Sequence, residues 1–315
     1  MNFWQKLKPP IMVSAPMEGI SDAPFRFMLA KYGKADVMFT EFASVDGLCS
    51  EEGRERIRID LSYGEAERPI TVQLFGSDPE KFYRAAKIVA DLGFDGVDIN
   101  MGCPDKQVVK YNGGASLIND PSLAQEIVLA TREGAGERPV SVKTRLGYSE
   151  PIIEKWVPVL TAVKPAAITL HGRTKKEMFR GQADWNLIGR AAEIIRESGI
   201  IAIGNGGIKS RIEAGERAKK FGLDGVMVGR ALWGNPWFFN PDISKTNLPL
   251  GVILQALLEH AKIFESIFGG RKNFVQMRRR FAAYLRGIPE ARNLKSELMK
   301  TQSAVDVAKV LARVL

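Results

Sequence analysis

Eight short runs of branched apolar residues, separated by stretches of helical periodicity, constrain this 315-residue chain more than any other feature. The runs are Ile11–Ala15, Val37–Thr40, Ile70–Leu74, Gly96–Asn100, Val140–Thr144, Ala167–Leu170, Ile200–Ile203 and Gly225–Val228. They are nearly continuously apolar rather than alternating, which marks strands covered on both faces, as in a parallel sheet with helical crossovers. Amphipathic stretches such as Pro79–Leu92, Pro121–Glu133, Ile152–Val163 and Trp185–Ser198 lie between them, with Asp78, Asp120, Ser149 and Asp184 where N-caps are expected. Eight such units in about 240 residues predict an α/β fold of the (β/α)8, TIM-barrel type. An open doubly wound sheet would show a glycine-rich dinucleotide turn after its first strand, and Ala15-Pro16-Met17-Glu18-Gly19 is not one.

Near residue 240 the pattern changes. Asn240-Pro241-Asp242 through Leu248-Pro249-Leu250 reads as a linker, and from Val252 onward only helical periodicity remains. A barrel domain over residues 1–243 and a small all-helical domain over 250–315 are therefore expected. The helical part is basic: residues 271–300 hold nine Lys or Arg against two acids, most of the chain's net charge of +9. Such a patch suits a polyanion. No apolar run approaches the roughly 18 residues that cross a bilayer, and no leader segment is visible at the start. Two distant cysteines and two histidines give neither a disulfide framework nor a metal-ligand spacing. The expectation is a metal-free cytoplasmic monomer without membrane contact.

A barrel brings all its strand exits to one rim. There the exits would gather Pro16-Met17, Glu41, Gln73, Asn100 with Cys103, Lys143, His171 with Arg173, Asn205-Gly206-Gly207 and Gly229-Arg230. Any one of these could be an ordinary loop residue; together they point to a pocket. The last two exits carry glycines that let backbone N–H groups approach phosphate, with Arg230 adding charge. A rim phosphate site without a dinucleotide turn suggests FMN. Lys143 would place a cation beside a flavin ring, and Gln73 suits its pyrimidine edge. Cys103, held between Gly102 and Pro104, is mostly protonated at neutral pH and suits a general acid. Cys49 has no such setting and reads as packing, and His260 as structural. Residues 105–114 read as a loop able to close over a substrate.

These runs, in this order, resemble the tRNA-dihydrouridine synthases. The resemblance covers residues 11–290 and is carried by Ala15-Pro16-Met17, Glu41, Val72-Gln73, Asp98-Ile99-Asn100-Met101-Gly102-Cys103-Pro104, Val142-Lys143-Thr144-Arg145, His171-Gly172-Arg173-Thr174, Asn205-Gly206-Gly207 and Val228-Gly229-Arg230. It implies an FMN-binding barrel, a helical tRNA-binding domain, and reduction of the C5=C6 bond of a D-loop uridine, with NADPH reducing the flavin. Pro16, Met17, Glu18, Gln73, Lys143, His171, Asn205, Gly206, Gly207, Gly229 and Arg230 would hold FMN. Cys103 would protonate C5, Asn100 and Arg173 would touch flavin or base, and Arg278, Arg279 and Arg280 would meet the tRNA D-arm. The chain departs from the family at Asn205-Gly206-Gly207, where many members have Asn-Gly-Asp, and at Met277–Leu285, where some carry histidine and tryptophan. The competing readings are a flavin-dependent dihydroorotate or dihydropyrimidine dehydrogenase, which needs no basic tail, and an RNA-binding protein on a retired barrel.

Overall fold

The computed structural model describes residues 1–315. Eight parallel strands, β1 (Ile11–Ser14), β2 (Met38–Ser44), β3 (Ile70–Phe75), β4 (Gly96–Met101), β5 (Val140–Arg145), β6 (Ala167–His171), β7 (Ile201–Asn205) and β8 (Gly225–Val228), run in the order β1-β8-β7-β6-β5-β4-β3-β2. A bridge between Val13 and Val37 closes the ring. The expected barrel is thus present. Its outer helices are α1 (Ala23–Tyr32), α2 (Val45–Cys49) and α3 (Glu51–Asp60), α4 (Pro79–Asp91), α5 (Lys106–Lys110) and α6 (Pro121–Ala135), α7 (Ile153–Ala162), α8 (Trp185–Glu197) and α9 (Arg211–Lys220).

Alternation along each strand sorts the side chains into two sets. Val97, Ile99 and Met101 of β4 and Val140 and Val142 of β5 face the helices and join a buried cluster of 53 residues. Ile11, Val13, Phe39, Ala167, Ile203 and Met227 fill the barrel interior, and Trp4, 1% exposed, belongs to the same cluster. The interior is therefore packed rather than a pore. Toward the carboxyl ends of the strands the inward set turns polar, with Gln73, Asp98, Asn100, Ser141 and Lys143 on the central strands.

Asp78, Asp120 and Asp184 cap α4, α6 and α8 through their carboxylates, as expected. Ser149 does not cap α7. The Ile152 N–H bonds to the Leu146 carbonyl (2.9 Å), which leaves Ser149 within the loop, and α7 starts at Ile153 without a side-chain cap. Glu41 is not a strand exit either. β2 continues to Ser44, and its pairing with β3 slips between Phe39 and Phe42. The bulge re-aims Glu41, whose carboxylate accepts the Gly19 N–H of the loop after β1. Residues 105–114 hold the helical turn α5, capped by Asp105, and not an open loop.

From Leu250 the chain folds as α10 (Leu250–Phe268), α11 (Met277–Tyr284), α12 (Arg292–Leu298) and α13 (Ala304–Leu311). Their shared apolar cluster of 20 buried residues also takes in Met28 of α1 and Trp237. The helical segment is thus packed onto the barrel through one continuous core. Across this face Tyr32 Oη of α1 donates to Glu259 of α10 (2.6 Å), and inside the segment the buried His260 lies against the Tyr284 hydroxyl (3.2 Å).

Candidate active site

Register places the polar residues of neighbouring strands side by side. Gln73 pairs with Asp98, Asn100 with Lys143, Arg145 with His171, and His171 with Asn205. Residues spread over more than 130 positions therefore line one end of the barrel.

The centre of this end is a hydrogen-bond chain that starts at Asp98. Its carboxylate, fully buried, accepts from Ser141 Oγ (2.6 Å) and Gln73 Nε2 (2.7 Å). An ionised carboxylate only accepts, so it forces the amide group of Gln73 toward it. That leaves Gln73 Oε1 to accept from Asn100 Nδ2 (2.9 Å), and Asn100 Oδ1 to accept the backbone N–H groups of Gly102 (3.0 Å) and Cys103 (2.8 Å). One buried charge thus orients two amides and, through them, the backbone of the cysteine. Burial pushes the Asp98 carboxyl up to about 6, against the hydrogen bonds from Ser141 and Gln73 and the charge of Lys143, which pull it down. It is still mostly ionised at neutral pH. Asp98→Ala leaves two buried donors without an acceptor, at about 1–3 kcal/mol each. A loss of about 2–6 kcal/mol in urea unfolding is expected. A variant as stable as wild type would show that the chain of bonds is dispensable.

Cys103 is gripped at both ends of its peptide unit, since its carbonyl also accepts from Ala115 N–H (3.0 Å). The segment leading to Ala115 is Gly113-Gly114; a Cβ on Gly114, at φ +60°, would lie 2.8 Å from the Cys103 carbonyl oxygen. The thiol itself is part-buried, and burial pushes its pKa up, only partly offset by the Asp105 backbone N–H. At neutral pH it is protonated, a donor rather than a nucleophile. Cys49 lies elsewhere, its sulfur toward the Lys81 carbonyl (3.5 Å), in keeping with a packing role.

Lys143 reaches Asn205 Oδ1 (3.3 Å), and no other hydrogen bond holds its ammonium. The side chain keeps some exposure toward the open rim, yet the surrounding protein, then Arg145, pushes its pKa down to about 8. Asn205 in turn donates to the Met227 carbonyl (2.7 Å). Burial, followed by the charges of Lys143, Arg145, Arg173 and Arg230, holds His171 neutral, well below the usual imidazole value. Arg173 Nη1 lies 3.1 Å from His171 Nε2. A guanidinium can only donate, so that nitrogen is the acceptor and the ring proton sits on Nδ1.

Sequence reading missed Asp98 and Arg145. An acid inside an otherwise apolar strand, Gly-Val-Asp-Ile-Asn, is the signal that marks the first, because an unpaired charge there would be costly. Arg145 bonds to the carbonyls of Gly102 (2.6 Å), Thr174 (3.1 Å) and Met178 (2.9 Å). It ties the cysteine loop to the loop after β6. Arg173 bonds to the carbonyls of Arg180 (2.9 Å) and Gly181 (2.7 Å) and is 3% exposed. Three of its donors serve that same loop and His171.

Pro16, Met17, Glu18, Gly229 and Arg230 stand around the other side of the rim. A Cβ on Gly229 would meet Met17 Sδ at 3.3 Å, so the loops after β1 and β8 touch there. Gly206 and Gly207 have φ of +131° and +73°; a Cβ on Gly206 would press on Ala183 (2.7 Å) and His171 (3.0 Å), whereas Gly207 faces open space. Of the nine basic residues in 271–300, six are exposed, among them Arg279. Arg278 is part-buried and bonds to the Thr301 carbonyl (3.3 Å). Arg280 is 3% exposed and paired with Asp22, so it cannot meet tRNA, contrary to the sequence expectation. It lies on the inward face of α11, where charge counting along the chain does not distinguish it from its neighbours. No helix is long and apolar enough to cross a membrane.

The family model described as Dihydrouridine synthase (Dus) matches residues 13–314. A protein of Staphylococcus aureus (strain MRSA252) named "Probable tRNA-dihydrouridine synthase" is 37% identical over 98% of this chain and 94% of its own length. The "Probable tRNA-dihydrouridine synthase 2" of Bacillus subtilis (strain 168) is 34% identical over 98% and 95%. Among solved structures, morphinone reductase superposes with a TM-score of 0.51 at 14% identity, over 73% of this chain and 85% of that one. Histamine dehydrogenase from Rhizobium sp. 4-9 gives 0.53 at 14%, over 83% and 51%. At such identities these two likenesses concern the barrel alone. The chain belongs to the dihydrouridine synthase family.

Proposed function

We propose that this protein reduces the C5=C6 bond of a D-loop uridine in tRNA, using FMN at the barrel rim and NADPH as the source of electrons. The observation that carries the reading is a protonated, backbone-pinned Cys103 near Lys143, an ammonium that the protein holds by a single hydrogen bond. Lys143 has donor capacity beyond Asn205, and Gly207 opens onto free space. Such donors fit a flavin ring with a phosphate tail.

When bound, reduced FMN supplies the hydride that C6 of the uracil receives. The chain's own residues do the rest. Cys103 gives its proton to C5, and the thiolate left behind is reprotonated from water. Asn100 holds the Cys103 backbone in place, and Lys143 offers positive charge where the ring system gains electrons. The Gly206-Gly207 and Gly229-Arg230 loops accommodate the phosphate. The target base must leave the folded D-arm, at a few kcal/mol of unstacking. Exposed cations of the helical segment, Arg279 among them, and the part-buried Arg278 offset that cost by holding backbone phosphates.

The test is direct. Purified protein should carry flavin absorbance and, with NADPH and unmodified tRNA, form dihydrouridine. The same protein given free pyrimidines should leave them unchanged. Turnover of a free pyrimidine with none on tRNA would move the reading to a small-molecule dehydrogenase. A colourless protein that takes up no flavin would sink both.

A further inference from the structure

The loop after β1 is not held by the barrel alone. Residues 17–22 curl into a single turn, with Ile20 and Ser21 N–H donating to the Met17 carbonyl (3.1 and 2.9 Å). Ser21 Oγ accepts the Met17 N–H (2.8 Å) and donates to its carbonyl (3.1 Å). Two acids anchor this turn. Asp22, 1% exposed, caps α1 at Phe25 N–H (3.1 Å), and Glu41 accepts the Gly19 N–H. They are close enough to oppose one another: after burial, the charge of Asp22 is what most raises the Glu41 carboxyl pKa.

Each acid is ion-paired only with the C-terminal helical segment. Arg280 of α11 meets Asp22 at 2.5 Å, both side chains nearly buried. Lys272, between α10 and α11, meets Asp60 at 2.5 Å and lies 3.9 Å from Glu41. The same helix also touches the exit of β8. A Cβ on Gly234 would fall 2.3 Å from the carbonyl carbon of Ala283 in α11, and just past that helix the Arg286 guanidinium lies 5.6 Å from the Trp233 ring centre. α11 thus braces both rim loops that carry Met17 and Arg230.

We propose that the helical segment is a working part of the flavin site, with Arg280 and Lys272 as positioning residues that neutralise Asp22 and Glu41 and hold residues 17–22 in the shape that receives FMN. This rests on the flavin reading above. A carboxylate in such a setting that loses its cation either takes up a proton or draws the turn it anchors toward water, and both change how residues 17–22 are held. The cations that the sequence offers to tRNA are therefore divided between two ligands: the exposed ones face RNA, and these two shape the cofactor loop.

FMN is stripped from the full-length protein and titrated back by quenching of its fluorescence, at a temperature where circular dichroism shows every variant folded. Arg280→Met should raise the FMN Kd by about tenfold or more, and Lys272→Met by about threefold. Arg280→Lys should recover part of the loss, and Lys309→Gln, an exposed cation on α13, should change nothing. Folded Arg280→Met and Lys272→Met proteins with wild-type FMN affinity would overturn the proposal. If Arg280→Met does not fold, Lys272→Met decides alone, and an unchanged Kd refutes it. A wild-type protein that takes up no FMN is a different failure, that of the flavin reading itself.

Discussion

Cys103→Ala is expected to lower dihydrouridine formation by about 10²–10⁴-fold, the range of a lost general acid. Flavin content and its reduction by NADPH should be unchanged. The separation follows from the geometry. Cys103 is held through its backbone N–H by Asn100 and through its carbonyl by Ala115, and alanine keeps both bonds. What disappears is one proton on one sulfur. The loss should lie in kcat, because the thiol acts only as C5 gains its proton. Single-turnover measurements with pre-reduced enzyme and tRNA check this. Wild-type rates in the alanine variant would remove Cys103 from the chemistry, and loss of flavin would show that the residue is structural.

The second large effect is at Lys143. Lys143→Met removes a charge-assisted donor worth about 1.5–3 kcal/mol, so FMN affinity at pH 7 should fall by about ten- to a hundredfold. The wild-type protein should also show a pH dependence that the variant lacks. With the free-protein pKa lowered to about 8, the ammonium is present below that pH and lost as pH rises through it. Wild-type affinity should therefore weaken above about pH 8, while the methionine variant stays flat. Binding of an anionic ligand raises the ammonium pKa, so the midpoint can only lie at or above this value. Parallel pH profiles for the two proteins would show that the cation does not face the cofactor.

These predictions draw on different layers of information. The barrel was legible in the sequence because strands buried on both faces must be continuously apolar, and eight such runs with helical crossovers leave few alternatives. The rim residues were legible for a related reason. A lysine, a glutamine or a histidine at the end of a buried strand is costly unless something meets it, so Gln73, Lys143 and His171 stand out from their neighbours. Cys103 was legible from the glycine and proline that frame it.

Partnership across space was not legible. Asp98 is a single letter in an apolar run, and only the register of β3, β4 and β5 sets it against Gln73 and Ser141, where it can orient the amides that hold Cys103. Arg173 and Arg280 read as cations available to a ligand. Folding gives the first to the carbonyls of residues 180 and 181, and turns the second inward onto Asp22, 258 positions away in sequence. Local sequence determines which residue types stand at the strand ends, because burial and backbone preference act over a few neighbours. Which charge pairs with which, and which remains free for RNA or flavin, was decided only by the tertiary structure, because an ion pair depends on distance in space and on exclusion of water.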